Sequence, residues 1–138
     1  MEISEFVFIR HSLHKTQRGL AQLLGTSLKA IHSYEQGWRT IPAAVERQIL
    51  FLYWCRKVGL KHQKPCWSLV KCPLERRRQC PAWEFKAGQF CWFISGTICG
   101  GQVCDNWRQK MKICRQCPVL QSILPDLPNG EAPHDPEA

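Results

Sequence analysis

The chain has 138 residues, enough for one ordinary domain or two small ones, with 44% hydrophobic and 22% charged residues. That composition excludes a chain that is disordered throughout, and no apolar run reaches the roughly 18 residues that a transmembrane helix needs. The opening MEISEFVFIR has neither the basic start nor the small-residue cleavage site of a secretory signal, so we expect a cytoplasmic protein without a membrane partner. In that reducing compartment the nine cysteines are expected to bind metal or to act in redox chemistry rather than to form structural disulfides.

The net charge of +8 is unevenly distributed along the chain. Residues 1–60 carry eight Lys and Arg against four Asp and Glu, residues 61–120 carry eleven against three, and residues 121–138 carry none against four. A positive surface favours polyanions such as nucleic acid, although a basic protein that is simply well solvated has the same composition. The acidic, proline-rich tail at 121–138 is predicted to be disordered.

Residues 1–58 are predicted to form four short helices. Ser4 is the expected N-cap of a first helix that runs to about Leu13. The remaining expected signals are Thr16 capping a helix over 17–24 that ends at Gly25, Ser27 capping a helix from Leu28 to about Gln36 that ends at Gly37, and Pro42 in the first turn of a helix to about Lys57. A helix, a three-residue turn and a second helix are the geometry that presents a helix to the major groove of DNA.

Several residue pairs in this segment are those of a known DNA-binding motif: Thr16-Gln17, Leu20-Ala21 and Leu24-Gly25, followed by Ile31 and by Tyr34-Glu35-x-Gly37. Over roughly residues 3–57 the chain resembles the Cro/C1-type (XRE-family, lambda-repressor-like) helix-turn-helix domain. The resemblance implies a mainly α fold with a bundle of four to five helices, and binding to double-stranded DNA. It also implies a structural ion pair between Arg10 and Glu35, for which the alternative is two exposed charges.

The same resemblance indicates which side chains contact DNA: Gln17, Thr26, Ser27, Leu28, Lys29, His32, Ser33, Arg39 and Thr40. Gln17 begins the second helix, where backbone donors favour a phosphate, and Arg39 and Thr40 suit further phosphate contacts. On the third helix, Lys29 can donate to guanine and Leu28 can contact a thymine methyl group. The alternative for each residue is an ordinary solvated side chain.

The fourth predicted helix contains seven consecutive apolar residues, Ile49 to Cys55. A helix at a protein surface has a polar face, so this run predicts burial by the cysteine-rich segment, a homodimer interface, or a fully packed core helix. Cys55 is expected to be a small core residue rather than a metal ligand. A linker is predicted at 59–65, where Gly and Pro flank a polar stretch.

The segment 66–120 contains the other eight cysteines, with five, seven, ten, seven, four, nine and two residues between them. Only the last pair has the C-x-x-C spacing of a zinc knuckle, and no histidine lies between 66 and 117. All-thiolate sites favour zinc or iron–sulfur clusters, and the irregular gaps with three Cys-Pro steps favour a cluster, with zinc as the alternative. Unligated thiols and reversible disulfides stay open. The basic run Arg76-Arg77-Arg78 is expected to be a solvated loop or to add phosphate contacts.

This segment also resembles a family, the small "two-CW" cysteine-rich domain of bacterial regulatory proteins, from about Pro65 to Pro118. The residues that carry the likeness are Cys66-Trp67, Cys72-Pro73, Cys80-Pro81-Ala82, Cys91-Trp92, the run from Ile94 to Cys99, and Cys114 with Cys117. Cys104 is extra to that pattern. Four of the other seven are expected to bind one cluster or metal ion: Cys66, Cys72, Cys80, Cys91, Cys99, Cys114 and Cys117. A segment this small needs metal, disulfides or a partner for stability, which predicts an irregular domain that is stabilised by metal or cluster.

Together these features predict a sequence-specific transcription regulator whose cysteine-rich domain senses redox state or metal. The first alternative is a DNA-binding protein with a purely structural, zinc-stabilised cysteine domain. A redox or electron-transfer component is less expected, and no enzyme activity is predicted, because the sequence contains no dinucleotide-binding or P-loop motif.

Overall fold

A computed structural model describes residues 1–57 and 64–124, and this part of the chain is mainly helical. It forms two compact units, an N-terminal unit within 1–57 and a cysteine-rich unit within 64–124. Most of the predicted linker and residues 125–138 of the predicted tail lie outside the described residues. Within 1–57 and 64–124, no helix combines the length and the apolar character that a membrane crossing requires.

The N-terminal unit consists of four helices: α1 (Ile3–Ser12), α2 (Gln17–Leu24), α3 (Leu28–Glu35) and α4 (Ala43–Lys57). The hydroxyls of Thr16 and Ser27 accept hydrogen bonds from the third residue beyond each of them, and Gly25 ends α2 in the left-handed conformation, with φ of 65°. The prediction of Ser4 as a cap is wrong, because the N-cap of α1 is Glu2. The terminal ammonium of Met1 lies 3.5 Å from Glu46, which holds the start of the chain against α4 and allows the helix to begin before Ser4.

The core of this unit is built from apolar side chains of all four helices. Its fully buried members are Phe6, Ile9, Leu20, Ile31, Ile49 and Leu50. Residues 20, 21 and 24 are buried on one face of α2, as their spacing of one and four predicts. The ring of Tyr34 on α3 meets the ring of Phe6 on α1 edge to face, with 6.2 Å between centroids. These contacts fix the orientation of α3 and therefore decide which of its side chains face outward.

Helix α4 buries a stripe of its apolar run rather than all of it. Ile49, Leu50 and Tyr53 are buried, the three residues at 51, 52 and 54 are half-buried, and Cys55 is exposed. The prediction of Cys55 as a core residue is therefore wrong, because position 55 lies about 200° around the helix from Tyr53. The prediction of a homodimer through this helix stays a prediction.

The cysteine-rich unit is made of short elements: α5 (Cys66–Leu69), α6 (Leu74–Arg77), α7 (Pro81–Glu84), a 3-10 turn (Cys91–Phe93), β1 (Thr97–Cys99), β2 (Gln102–Cys104), α8 (Trp107–Cys114) and α9 (Pro118–Gln121). The strands form an antiparallel hairpin in which Ile98 faces Val103, closed by two glycines with positive φ. Trp92, Lys110 and Leu120 are among its fully buried side chains. Ile123 is also buried, so this unit continues past the predicted start of the disordered tail at residue 121.

Candidate functional site

The outward side of α3 presents three of the side chains expected to contact DNA. Leu28 is 40% exposed, and Lys29 and His32 are also exposed. Ala30 and Ile31 point into the core, which holds the helix with this side out. We call Leu28, Lys29 and His32 the α3 surface.

The expectation that Ser33 belongs to this surface is wrong. Ser33 is only 8% exposed, and its hydroxyl donates a 2.8 Å hydrogen bond to the carbonyl oxygen of Lys29. The reason is helical spacing, because positions 30, 33 and 34 share the face of α3 that packs inward.

The other expected DNA contacts lie at the ends of α2 and α3. Arg39 and Thr40 are exposed in the segment that follows α3, Ser27 is exposed at its start, and Thr26 is half-buried. The Ser27 hydroxyl is occupied as the cap of α3, at 3.0 Å from the backbone nitrogen of Ala30. These residues surround the α3 surface with hydroxyl and guanidinium donors.

Gln17, Arg10 and Glu35 form a network beneath these residues. The Arg10 Nε donates to Glu35 Oε1 at 2.6 Å, and the two side chains are 4% and 8% exposed, so the ion pair that the resemblance implies is present and buried. Gln17 donates to Glu35 Oε2 at 2.7 Å, which leaves its amide one further N–H for a phosphate. The network joins α1, the start of α2 and the end of α3, and so fixes the α3 surface from below.

Sequence reasoning missed Trp38, which is 70% exposed next to this surface. Its ring meets the His32 ring edge to face at 5.4 Å, after Gly37 has turned the chain with φ of 75°. The available signal was a large aromatic residue in the short polar segment between two helices, where no core position was expected.

The cysteine-rich unit contains a cavity of about 520 Å³, which we call the sulfur cavity. All seven cysteines expected to supply ligands line it: Cys66, Cys72, Cys80, Cys91, Cys99, Cys114 and Cys117. Cys104, the one extra to the family pattern, is not among the lining residues. Lys71, Arg76, Arg77 and Lys112 also line the cavity, and no Asp or Glu does. The cavity therefore combines sulfur donors with positive charge.

Packing around the sulfur cavity fixes Cys66 in place. Its backbone nitrogen donates to the carbonyl oxygen of Gly88 at 2.7 Å. A Cβ at Gly88 would lie 2.6 Å from the ring of Trp67 and 2.6 Å from Pro65, so only glycine permits this approach. Trp67 in turn packs edge to face on Trp83, with 4.9 Å between ring centroids.

The basic run at 76–78 is not a uniformly solvated loop. The Arg77 Nε donates to the carbonyl oxygen of Cys72 at 2.7 Å, and its guanidinium lies 5.6 Å from the centre of the Trp83 ring. Arg76 and Arg77 both line the sulfur cavity, whereas Arg78 is exposed. Two of the three arginines thus add charge to the cavity wall.

The thiols of the cavity influence one another. A hydrogen bond from the Cys91 thiol lowers the pKa of Cys66 from its ordinary value of 9.0 to about 7, and the same bond with burial raises the pKa of Cys91. Burial raises the pKa of Cys99, and it raises the pKa of Cys114 to about 12. The charge of Lys110 opposes these increases, because it favours the thiolate form of all four cysteines.

All nine cysteines are free thiols and lie in the described part of the chain. Among residues 1–57 and 64–124, no three Cys, His, Asp or Glu side chains lie close enough together to hold a single metal ion. The sulfurs thus surround a space rather than converge on a point. Comparisons with family models, curated proteins and solved structures find no significant match.

Proposed function

We propose that this protein is a sequence-specific DNA-binding transcription regulator. In this proposal the N-terminal unit is a lambda-repressor-like helix-turn-helix domain of the XRE type, and the cysteine-rich unit is a metal- or cluster-stabilised domain that senses redox state or metal. The observation that supports DNA binding best is the α3 surface, an exposed polar and apolar helix face held by a buried ion pair.

The chemistry of the α3 surface suits the major groove. The Lys29 ammonium can donate to O6 and N7 of guanine, and Leu28 offers methyl groups to thymine. Trp38, Arg39 and Thr40 border the same surface and provide an aromatic ring and donors for the sugar–phosphate backbone. The proposed reader is thus a short helix for base edges, flanked by backbone contacts.

Selection from a random duplex library, followed by gel-shift titration of the selected sequence, tests DNA binding. We expect Lys29→Ala to weaken binding to the selected duplex about tenfold and to relax base preference at one position, since one base contact contributes about 1–3 kcal/mol. Lys57→Ala, which removes the same charge from the end of α4, is the matched control. Unchanged affinity and preference in Lys29→Ala would remove the basis for the proposal.

The sensing role is supported by the seven cysteines and the cationic wall of the sulfur cavity. Binding or oxidation at these sulfurs would alter a unit whose elements are three to eight residues long and have little stability of their own. The same observation supports the second candidate, a static zinc scaffold, because a small unit of this kind needs a staple.

The two candidates differ in how DNA affinity responds to the sulfur site. For a sensor, Cys114→Ser combined with Cys117→Ser changes both the bound metal and the affinity for the selected duplex, whereas a scaffold loses metal without altered affinity. Cys55→Ser, at the exposed position on α4, is the control for thiol removal. We also propose pairing of two chains through the apolar run of α4, which Leu52→Glu should weaken in light-scattering measurements of mass.

A further inference from the structure

Lys110 is a fully buried cation in the cysteine-rich unit, with a relative exposure of 0%. Its Nζ donates a hydrogen bond to the hydroxyl of Thr97, and no carboxylate of the described residues lies within ion-pairing distance of it. Burying an ammonium group without an opposite charge is costly, because the low dielectric of the interior replaces water. The position of Lys110 therefore calls for a negative charge nearby.

The groups around Lys110 that can carry negative charge are thiols. Cys114 is one helical turn further along α8, and the Thr97 hydroxyl that accepts from Lys110 lies 3.6 Å from the Cys99 sulfur. Cys66 and Cys91 are hydrogen-bonded to each other and complete the set of four cysteines that feel the Lys110 charge. All four line the sulfur cavity, whose wall also carries the four basic residues and no acidic residue.

The dimensions distinguish a cluster from a single ion. A zinc site holds four sulfurs at about 2.3 Å from one point, and the described residues contain no group of three such side chains. A cubane cluster holds its thiolates at separate corners, and a cavity of about 520 Å³ has room for one.

We propose that the sulfur cavity binds an anionic [4Fe–4S] cluster through Cys66, Cys91, Cys99 and Cys114, and that Lys110 is the positioning residue that offsets its negative charge. Reduction adds one electron from an external one-electron donor, breaks no bond, and makes the cluster one unit more negative beside the Lys110 ammonium. Lys110 thus favours the reduced form. This assignment names the cofactor of the proposed sensing unit and rests on that proposal for its regulatory meaning, but its test needs no DNA.

The test uses the full chain, purified without oxygen and supplied with ferrous iron and sulfide, or with zinc alone as the competing probe. We expect about four iron atoms and four sulfides per chain, together with the visible absorption of a cluster. Cys→Ser substitution at 66, 91, 99 or 114 abolishes loading, and substitution at the other three lining cysteines or at Cys104 leaves it. Tight zinc binding without iron and sulfide loading overturns the assignment, as does equal loss from both sets of cysteines.

Redox titration with dithionite as the donor tests Lys110 separately. Lys110→Met lowers the oxidised-to-reduced midpoint so that the ratio of the two forms changes at least tenfold at a given potential, about 59 mV for one electron. Lys110→Arg keeps the charge and restores the midpoint, and Lys110→Gln supplies a second neutral side chain if the methionine variant does not fold. An unchanged midpoint in the neutral variants overturns the role of Lys110. Failure of DNA binding with a loaded cluster would contradict the regulator and leave the cluster in place.

Discussion

At the scale of single residues, the network of Arg10, Gln17 and Glu35 shows how buried charge organises the N-terminal unit. Glu35 accepts from both partners through different oxygens, so its carboxylate is satisfied although it is nearly excluded from water. Removing one partner of such a pair leaves the other charge buried and unpaired, which costs far more than the pair itself contributes.

Glu35→Gln should therefore lower the free energy of unfolding by about 3 kcal/mol, because Arg10 stays buried without a counter-charge. Urea denaturation followed by helical circular dichroism measures the change. Glu2→Gln alters an exposed carboxylate that makes no capping hydrogen bond, and it should change stability by less than about 0.5 kcal/mol. Equal stabilities of the two variants would contradict a structural role for the pair.

Cys66 gives a second prediction at this scale. Because Cys91 lowers the pKa of Cys66 to about 7, the metal-free, reduced chain should have mainly thiolate at Cys66 above that pH and mainly thiol below it. The rate of iodoacetamide labelling at Cys66, read by peptide mass spectrometry, should therefore increase as pH rises through about 7. In Cys91→Ala the increase should move to higher pH, and an unmoved profile would show that Cys91 is not the cause.

At the scale of elements, the turn between α2 and α3 is specified by local hydrogen bonds. Ser27 satisfies a backbone donor at the start of α3, and Gly25 supplies the left-handed conformation that ends α2. Because both functions are local, each residue can be recognised without knowledge of the rest of the fold.

Ser27→Ala should lower the free energy of unfolding by about 1 kcal/mol, the usual effect of losing a helix cap. Ser4→Ala removes the same group from an exposed position inside α1 and should have almost no effect, since Glu2 is the cap of that helix. Thermal unfolding of the two variants in parallel measures the difference. A larger effect for Ser4→Ala would place the start of α1 elsewhere.

At the scale of the whole molecule, the excess of 19 basic over 11 acidic residues favours association with polyanions. Each phosphate that a basic side chain neutralises makes the plot of log affinity against log salt concentration steeper by about 0.9. Arg39 is exposed beside the α3 surface and is proposed to contact a phosphate.

Arg39→Ala should therefore make that slope less negative by about 0.9 per bound chain, whereas Lys57→Ala should leave it unchanged. Fluorescence anisotropy with the selected duplex at several salt concentrations measures both slopes. The same reduction in both variants would mean that the charge effect is nonspecific rather than located at Arg39.

The sequence by itself determined the helices of the N-terminal unit, their caps at Thr16 and Ser27, and the cysteines that line the cavity. It could do so because caps and helical periodicity depend on neighbours within a few residues. The burial of Ser33, the exposure of Cys55 and the isolated charge of Lys110 were decided by the tertiary structure alone. Each depends on which distant side chains pack against that position, and spacing along the chain carries no record of such contacts.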